Sequence, residues 1–215
     1  VKILSRTVGL FEENSYLVVD ETTREAVLID PGDAPDQLLD MLRESGAELR
    51  AIWITHGHLD HIGAVEAIRR VYPVPVYLHA ADRPVYDAQS VFAEAYGVPF
   101  EQPAAADAEI AHGDVMRVGT LSFDVHHAPG HSPGHVVFLG HGVMLGGDVL
   151  FAGSIGRTDL PLANPAHMSE TLKLVSAFPP ETIVYPGHGE PTTIGAELRG
   201  NPFLNGTVNV KRDTH

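Results

Sequence analysis

Cysteine is absent from the 215 residues, which excludes a disulfide framework, an Fe–S cluster, a thiolate zinc finger and a cysteine nucleophile. His and Asp remain as the available metal ligands. Positive charge is scarce as well: 14 Lys+Arg stand against 28 Asp+Glu, a formal charge of −14 with a pI near 5.2. No Lys/Arg-rich stripe offsets this locally, so a phosphate backbone would be repelled and nucleic acid is not expected as a partner. Long hydrophobic runs are missing too, the longest being strand-sized, and the start Val1-Lys2-Ile3-Leu4 breaks into polar residues at once. The expectation is a cytoplasmic protein with no signal segment and no membrane partner. Neither a fixed-period repeat nor a low-complexity tract interrupts the chain.

What is present is enough apolar material for a core, 44% hydrophobic against 20% charged residues, and the length favours one domain over residues 1–215. Residues 15–20 and 25–30 are β-branched and apolar, separated by Glu-Thr-Thr-Arg, and read as a hairpin that opens the fold and ends at Asp30-Pro31-Gly32. Leu38, Leu39, Met41 and Leu42 recur at helical spacing within residues 35–44. A buried strand over 50–55 is expected to lead into a helix with Ile62, Val65, Ile68 and Val71 inward, then a strand over 74–78. This order implies a mixed sheet with helices packed on it. Residues 82–114 carry little periodicity and read as a helix plus an irregular surface excursion. Short strands follow at 115–118, 121–125, 135–139 and 143–145, then a helix with Asn164 as N-cap and Pro165 at its first position. Residues 183–185 read as the last strand and 191–199 as the final helix. Both halves run from hairpin strands to strand ends loaded with Asp, Gly and His, the pattern of two similar half-domains around one site.

Thirteen histidines are unevenly spread, and Thr55-His56-Gly57-His58-Leu59-Asp60-His61 holds three of them where a buried strand hands over to a helix. Residues two apart on an extended backbone project to the same side, so His56 and His58 can grip one cation while the turn into the helix carries Asp60 and His61 toward a second position. Burying these groups unpaired would be costly. Ala128-Pro129-Gly130-His131, Gly146-Gly147-Asp148 and Tyr185-Pro186-Gly187-His188 repeat one format, a strand end whose Gly and Pro allow a tight turn that aims a side chain into a cleft. Together these segments supply five His and two Asp, enough for two cations sharing one carboxylate.

This set resembles the metallo-β-lactamase superfamily over nearly the whole chain, from Asn14-Ser15-Tyr16-Leu17 and Asp30-Pro31-Gly32 to Asn201-Pro202-Phe203-Leu204. Gly147-Asp148-Val149-Leu150-Phe151, Gly153-Ser154-Ile155-Gly156-Arg157-Thr158-Asp159 and Gly187-His188-Gly189 are similar to the short, single-domain glyoxalase II-like (hydroxyacylglutathione hydrolase-like) branch. The resemblance implies an α/β fold, a four-layer αβ/βα sandwich of two mixed sheets with outer helices. It also implies that His56, His58 and His131 hold one metal, that Asp60, His61 and His188 hold another, and that Asp148 bridges them. The two divalent ions would be Zn, Fe or Mn, since His and carboxylate donors suit all three. Asp60 and Asp148 would be the catalytic carboxylates around a metal-bridging hydroxide, and the reaction implied is hydrolysis of a small hydroxyacyl thioester. Full-length glyoxalase II carries a C-terminal helical domain that contacts glutathione. No such domain is expected here, with Lys211 and Arg212 read as a solvated tail.

Among the remaining residues, His135 reads as packed or supporting the site, and Arg157 and Asp159 as paired with each other or bracing the cleft. His79 and His127 read as hydrogen-bonded structural histidines. His112, His126, His141, His167 and His215 read as surface residues, and Asn205-Gly206-Thr207 as a chance glycosylation sequon. Two other functions fit the same ligands: a mononuclear iron persulfide dioxygenase, and a metal-binding protein without turnover. Gly-Arg-Thr-Asp is common to hydrolases and dioxygenases of the family, whereas Leu160-Pro161 stands where Phe-Gln is expected in the dioxygenases, which favours the hydrolase. All seven ligands are present, which argues against the non-catalytic reading.

Overall fold

The computed structural model describes residues 1–210; Lys211, Arg212 and His215, read above as tail and surface residues, lie outside the described residues. Among the described residues fourteen strands occur in chain order, β1 (Lys2–Val8), β2 (Glu13–Val19), β3 (Glu25–Ile29), β4 (Glu48–Trp53), β5 (Val76–His79), β6 (Ala108–Ile110), β7 (Val115–Val118), β8 (Leu121–His127), β9 (Val136–Gly140), β10 (Val143–Gly147), β11 (Leu150–Phe151), β12 (Ser154–Ile155), β13 (Ile183–Pro186) and β14 (Thr192–Thr193). The helices are α1 (Pro35–Ser45), α2 (Leu59–Ile62), α3 (Val65–Val71), α4 (Arg83–Asp87), α5 (Gln89–Tyr96), α6 (Pro165–Ser176) and α7 (Ile194–Gly200).

Two mixed six-stranded sheets result, ordered β1-β2-β3-β4-β5-β6 and β14-β13-β10-β9-β8-β7. Side chains alternate faces along each strand, and here both faces are buried. On β2, Tyr16 and Val18 face the opposing sheet and share a cluster with Val27 and Trp53 of their own sheet and Phe123, Val125 and Phe138 of the other, while Leu17 and Val19 face outward to the cluster of Leu38, Met41, Leu42 and Ile68. The outer face of the second sheet is covered by Met168, Leu172 and Val175 of α6 over Val137, Met144 and Val184. The layers are therefore helix, sheet, sheet, helix, as the resemblance implied. Trp53 anchors the inter-sheet layer, its ring 5.2 Å from Phe138 and 6.0 Å from Phe123 between centroids. No helix among the described residues is long and apolar enough to cross a membrane.

Several boundaries differ from expectation. The opening hairpin is preceded by β1, whose mixed exposure hid it; as an edge strand it carries Lys2 and Arg6, charges that blunt edge-to-edge pairing. The expected helix after β4 is two pieces, α2 and α3, because Gly63 passes so close to the Gly32 carbonyl that a Cβ there would clash. As a result Val71, expected inward, ends α3 at 53% exposure, and Tyr72 and Val74 pack against the core instead. The excursion over residues 82–114 contains α4, α5 and strand β6, which adds to β5 in parallel. The final helix begins three residues later than expected, since Thr192 and Thr193 pair with β13 and the Thr193 hydroxyl then caps α7. Asn164 caps α6 as expected, accepting from the N–H groups of Ala166 and His167.

The end of the sandwich away from the site is fastened by Asp20. Its carboxylate accepts hydrogen bonds from the Thr120 N–H and hydroxyl at 2.6 and 2.8 Å, from the Thr22 N–H at 2.9 Å and from the Thr23 hydroxyl at 3.1 Å, joining the β2–β3 turn to the β7–β8 turn. The Thr120 N–H is the largest influence in holding the Asp20 carboxyl far below its ordinary value of 3.8. A carboxylate favoured in the fold contributes stability that is full above its unfolded pKa and is lost as pH falls through the folded one. Asp20→Asn should accordingly lower the Tm at pH 7. The gap to the parent protein should stay constant down to about pH 4 and narrow below it, which thermal unfolding followed by circular dichroism across pH will show.

Candidate metal centre

The site lies where both sheets present the C-terminal ends of their central strands. β4 delivers Thr55 and His56; His58 is the extended N-cap of α2, and Asp60 and His61 occupy the first turn of that helix. His131 follows β8, Asp148 follows β10 and His188 follows β13. Nitrogen and oxygen atoms of His56, His58 and His131 all lie within 4.8 Å of one another, and so do those of Asp60, His61 and His188. Asp148 reaches both groups: Oδ1 is 3.4 Å from His61 Nε2, while Oδ2 is 3.4 Å from His131 Nε2 and 3.5 Å from His188 Nε2. His188 Nε2 is also 3.2 Å from Asp60 Oδ2. The structure thus brings together all seven side chains singled out in the sequence.

The turns permit this crowding. Gly187 needs to lack a side chain, because a Cβ would collide with Asp148 Oδ1 and lie 2.8 Å from His61 Cε1. Gly147 has φ +46°, a left-handed conformation that aims Asp148 off the strand end, and a Cβ there would lie 2.5 Å from Thr55 Oγ1.

Hydrogen bonds behind the cluster fix each imidazole. Thr55 donates its hydroxyl to Asp30 Oδ2 at 2.6 Å, so its oxygen is left to accept from His56 Nδ1 at 3.0 Å. His61 Nδ1 donates to Asp30 Oδ2 at 3.0 Å, and His131 Nδ1 to the Arg157 carbonyl at 2.8 Å. In all three rings Nδ1 is engaged on the outer side, which turns Nε2 into the cleft. Burial opposes charge on His61, but the carboxylates of Asp148, Asp60 and Asp30 around it raise it well above the usual imidazole value, so without a cation a proton occupies that ring. His135 is buried against His56, ring centroids 4.7 Å apart, and its Nε2 accepts from the Asp148 N–H at 2.9 Å. Burial first, then His131, holds His135 well below the usual imidazole value, which keeps it neutral as an acceptor. His135 and Arg157 therefore support the site, the latter through its backbone; the Arg157 side chain makes a two-pronged ion pair with Asp159, 2.9 Å for each contact.

Cations suit this donor set. Nε2 of His56 and of His61 and Oδ1 of Asp148 are buried without any hydrogen-bond partner, a cost that native interiors seldom carry. Burial, followed by the neighbouring His131, pushes His58 down to about 3, so it is a neutral donor at working pH. Burial opposes charge on Asp148, but His61 and the hydrogen bond to His188 outweigh it and keep the carboxyl well below its ordinary range. Burial likewise opposes charge on His188, yet hydrogen bonds to Asp148 and Asp60 lift it to about 10. The site already prefers positive charge beside its carboxylates, which a bound cation would supply in place of protons.

Sequence reasoning left Asp30 without a role, although its Asp-Pro-Gly strand end shares the format of the ligand segments. Asp82 gave no signal at all: it is buried and accepts from the N–H groups of Gly57 and Gly134 and from the Ser132 hydroxyl, tying the His56–His61 segment to the loop bearing His131. His79 and His127 are structural, as expected; His79 accepts from the Ala81 N–H, His127 Nε2 lies 2.9 Å from the Pro133 carbonyl and the rings stack at 4.4 Å. His112, His141 and His167 are exposed. His126, expected at the surface, is half-buried with its ring 5.0 Å from Phe178.

The sequence pattern of the metallo-beta-lactamase superfamily matches residues 8–188. The chain belongs to that superfamily. The hydroxyacylglutathione hydrolase GloC of Haemophilus influenzae is 33% identical over 92% of this chain and 95% of its own. Among solved structures, TTHA1623 in a di-iron-bound form is 43% identical with a TM-score of 0.87, covering 94% of this chain and 100% of that one. The B3 metallo-beta-lactamase BLEG-1 is 36% identical with a TM-score of 0.88 over 94% and 99%. ETHE1 from Myxococcus xanthus is 31% identical with a TM-score of 0.81 over 96% and 85%.

Groups that orient metal-binding histidines weigh on affinity almost as the ligands do. Asp30→Ala, which frees His61 and Thr55 to rotate, should weaken metal binding by roughly 10- to 100-fold. Competition with a chromophoric chelator measures this, and unchanged affinity would show that packing alone fixes His61.

Proposed function

We propose that the protein is a dinuclear metallo-hydrolase that cleaves small thioesters, hydroxyacyl conjugates among them. The observation that carries the reading is the Asp148 carboxylate, which stands within 3.5 Å of nitrogen atoms from both ligand groups. His56, His58 and His131 would hold one ion, Asp60, His61 and His188 the other, and Asp148 would contact both. Divalent ions there would supply a water that deprotonates near neutral pH and an electrophilic edge for a carbonyl. Asp60 lines the pocket above the cluster. Burial opposes its charge, but His61 and His188 outweigh that and keep it ionised, so it can orient a water through a hydrogen bond. Nδ1 of His61, His56 and His131 is engaged on the outer side of the cluster, so in each ring Nε2 is the atom turned toward the reacting atoms.

The leaving group favours a thioester. A thiolate departs with less acid assistance than an amine, and beyond the cluster the polar side chains lining the pocket are Gln89, Tyr96 and Arg157. Gln89 is occupied by the Leu59 N–H and the Val85 carbonyl, and Arg157 by Asp159. Similarity to GloC, a named hydroxyacylglutathione hydrolase, and to the di-iron form of TTHA1623 supports both the class of substrate and the pair of ions. The second reading, a mononuclear iron persulfide dioxygenase, draws on the likeness to ETHE1. It leaves Asp60 and His188 without a purpose at the ion.

Elemental analysis should find two ions per chain after reconstitution, and chelation should abolish thioester hydrolysis. Asp148→Asn should lower both occupancy and turnover, because a neutral amide bridges two cations poorly. One ion per chain, together with persulfide-dependent oxygen uptake and no thioester cleavage, would replace the hydrolase by the dioxygenase.

A further inference from the structure

The metal-binding cluster forms the floor of a cavity of about 380 Å³, within the range of roughly 300 to 1,000 Å³ that encloses a small organic molecule. Its walls have a chemistry of their own. Phe11, Phe92, Tyr96, Phe151, Leu160 and Leu162 contribute aromatic and aliphatic surface from four separate segments. Phe11 and Tyr96 meet edge to face at 5.8 Å across the mouth, and the Phe151 ring stands 5.9 Å from that of His188, over the floor. Tyr96 and Leu162 remain 56% and 61% exposed, apolar surface left open at a site instead of being covered by the fold. Leu162 also holds a left-handed backbone, φ +68°, where glycine would incur no strain.

Cationic side chains that could hold an anion are correspondingly few in these walls. Arg157 is the only Lys or Arg among the described residues lining the cavity, and its guanidinium is paired with Asp159. The amide of Gln89 is spent on Leu59 and Val85. The whole chain carries a formal charge of −14, which opposes the approach of an anionic carrier such as glutathione.

We propose that this cavity selects thioesters carrying an uncharged hydrocarbon or aryl group beside the scissile bond, and discriminates against charged carriers. This rests on the hydrolase reading and names its substrate class. The apolar group could sit on the acyl or on the thiol side, and the same wall would bury either.

The metal-loaded protein tests it with two series. One varies the acyl group on N-acetylcysteamine from acetyl through butanoyl to hexanoyl and phenylacetyl, with succinyl as the charged member; the other varies an acetylated thiol from ethanethiol to 2-phenylethanethiol, with glutathione as the charged member. In one series kcat/KM should rise by about two- to fourfold per buried methylene, identifying the side the cavity holds, and the charged member should fall at least tenfold below its uncharged counterpart. Phe92→Lys and Leu162→Lys, both at partly or largely exposed positions, should flatten that rise and favour the charged members. Titration calorimetry with benzyl methyl thioether and S-methylglutathione provides a readout without turnover, and only the former should bind. Cleavage with no dependence on chain length, or a preference for the charged members, overturns the proposal and leaves the hydrolase standing. Thioether binding without cleavage of any thioester overturns the hydrolase reading and with it this substrate class, leaving only an apolar-binding cavity.

Discussion

Asp148 leaves the end of β10 with its carboxylate 3.4 Å from both His61 and His131, and the surrounding backbone is shaped to allow it. Gly147 turns the chain, Gly187 yields the space and His135 holds the Asp148 N–H. Five imidazoles and two carboxylates in one cleft would be expensive without compensation. The compensation has two parts: an outer ring of hydrogen bonds through Asp30, Thr55, Asp82 and the Arg157 carbonyl, and inner nitrogen and oxygen atoms, without hydrogen-bond partners, that cations would satisfy. Neither part suffices alone, since the outer bonds leave Nε2 of His56 and His61 orphaned.

That arrangement explains why the site sits between two sheets. Each ligand is on a segment that follows a strand, and the strands are pinned by a buried apolar layer in which Trp53 packs against Phe123 and Phe138. Trp53 is two residues before Thr55 and three before His56, so inter-sheet packing sets the position of the first ligand directly. A shift between the sheets would separate His56 and His61 from His131 and Asp148 at once. The Asp20 clamp at the far end opposes the same shift, which makes the two ends of the sandwich partners in one task.

Much of this was legible in the sequence because the signals were dense and local. Apolar runs such as Ser15-Tyr16-Leu17-Val18-Val19 lie in strands buried on both faces, and the four Gly-, His- and Asp-bearing segments fell at strand ends as read. Less legible were elements defined by partners far away in sequence. β1 and β6 carry weak patterns as edge strands, and they exist because β2 and β5 offer them unpaired backbone. Asp82 looks like any surface acid until the fold brings Gly57, Ser132 and Gly134 to it across 25 to 52 residues. Val71 failed for a related reason: helical periodicity assumes an unbroken helix, and contact between Gly63 and Gly32 interrupts it.

The same contrast separates the floor of the cavity from its walls. Metal-binding chemistry demands particular side chains at particular spacings, so the floor announces itself in a short motif. A wall that excludes water and holds a hydrocarbon demands only size and apolarity, which Phe11, Phe92, Leu160 and Leu162 satisfy without any spacing rule. These residues come from the β1–β2 connection, from α5 and from the segment after β12, segments whose composition carries no periodic signal. Cations on the floor would polarise a carbonyl whatever is attached to it, so the floor cannot choose among substrates. Discrimination must arise where contacts differ between one substrate and another, and in this fold those contacts belong to the segments that sequence periodicity describes least.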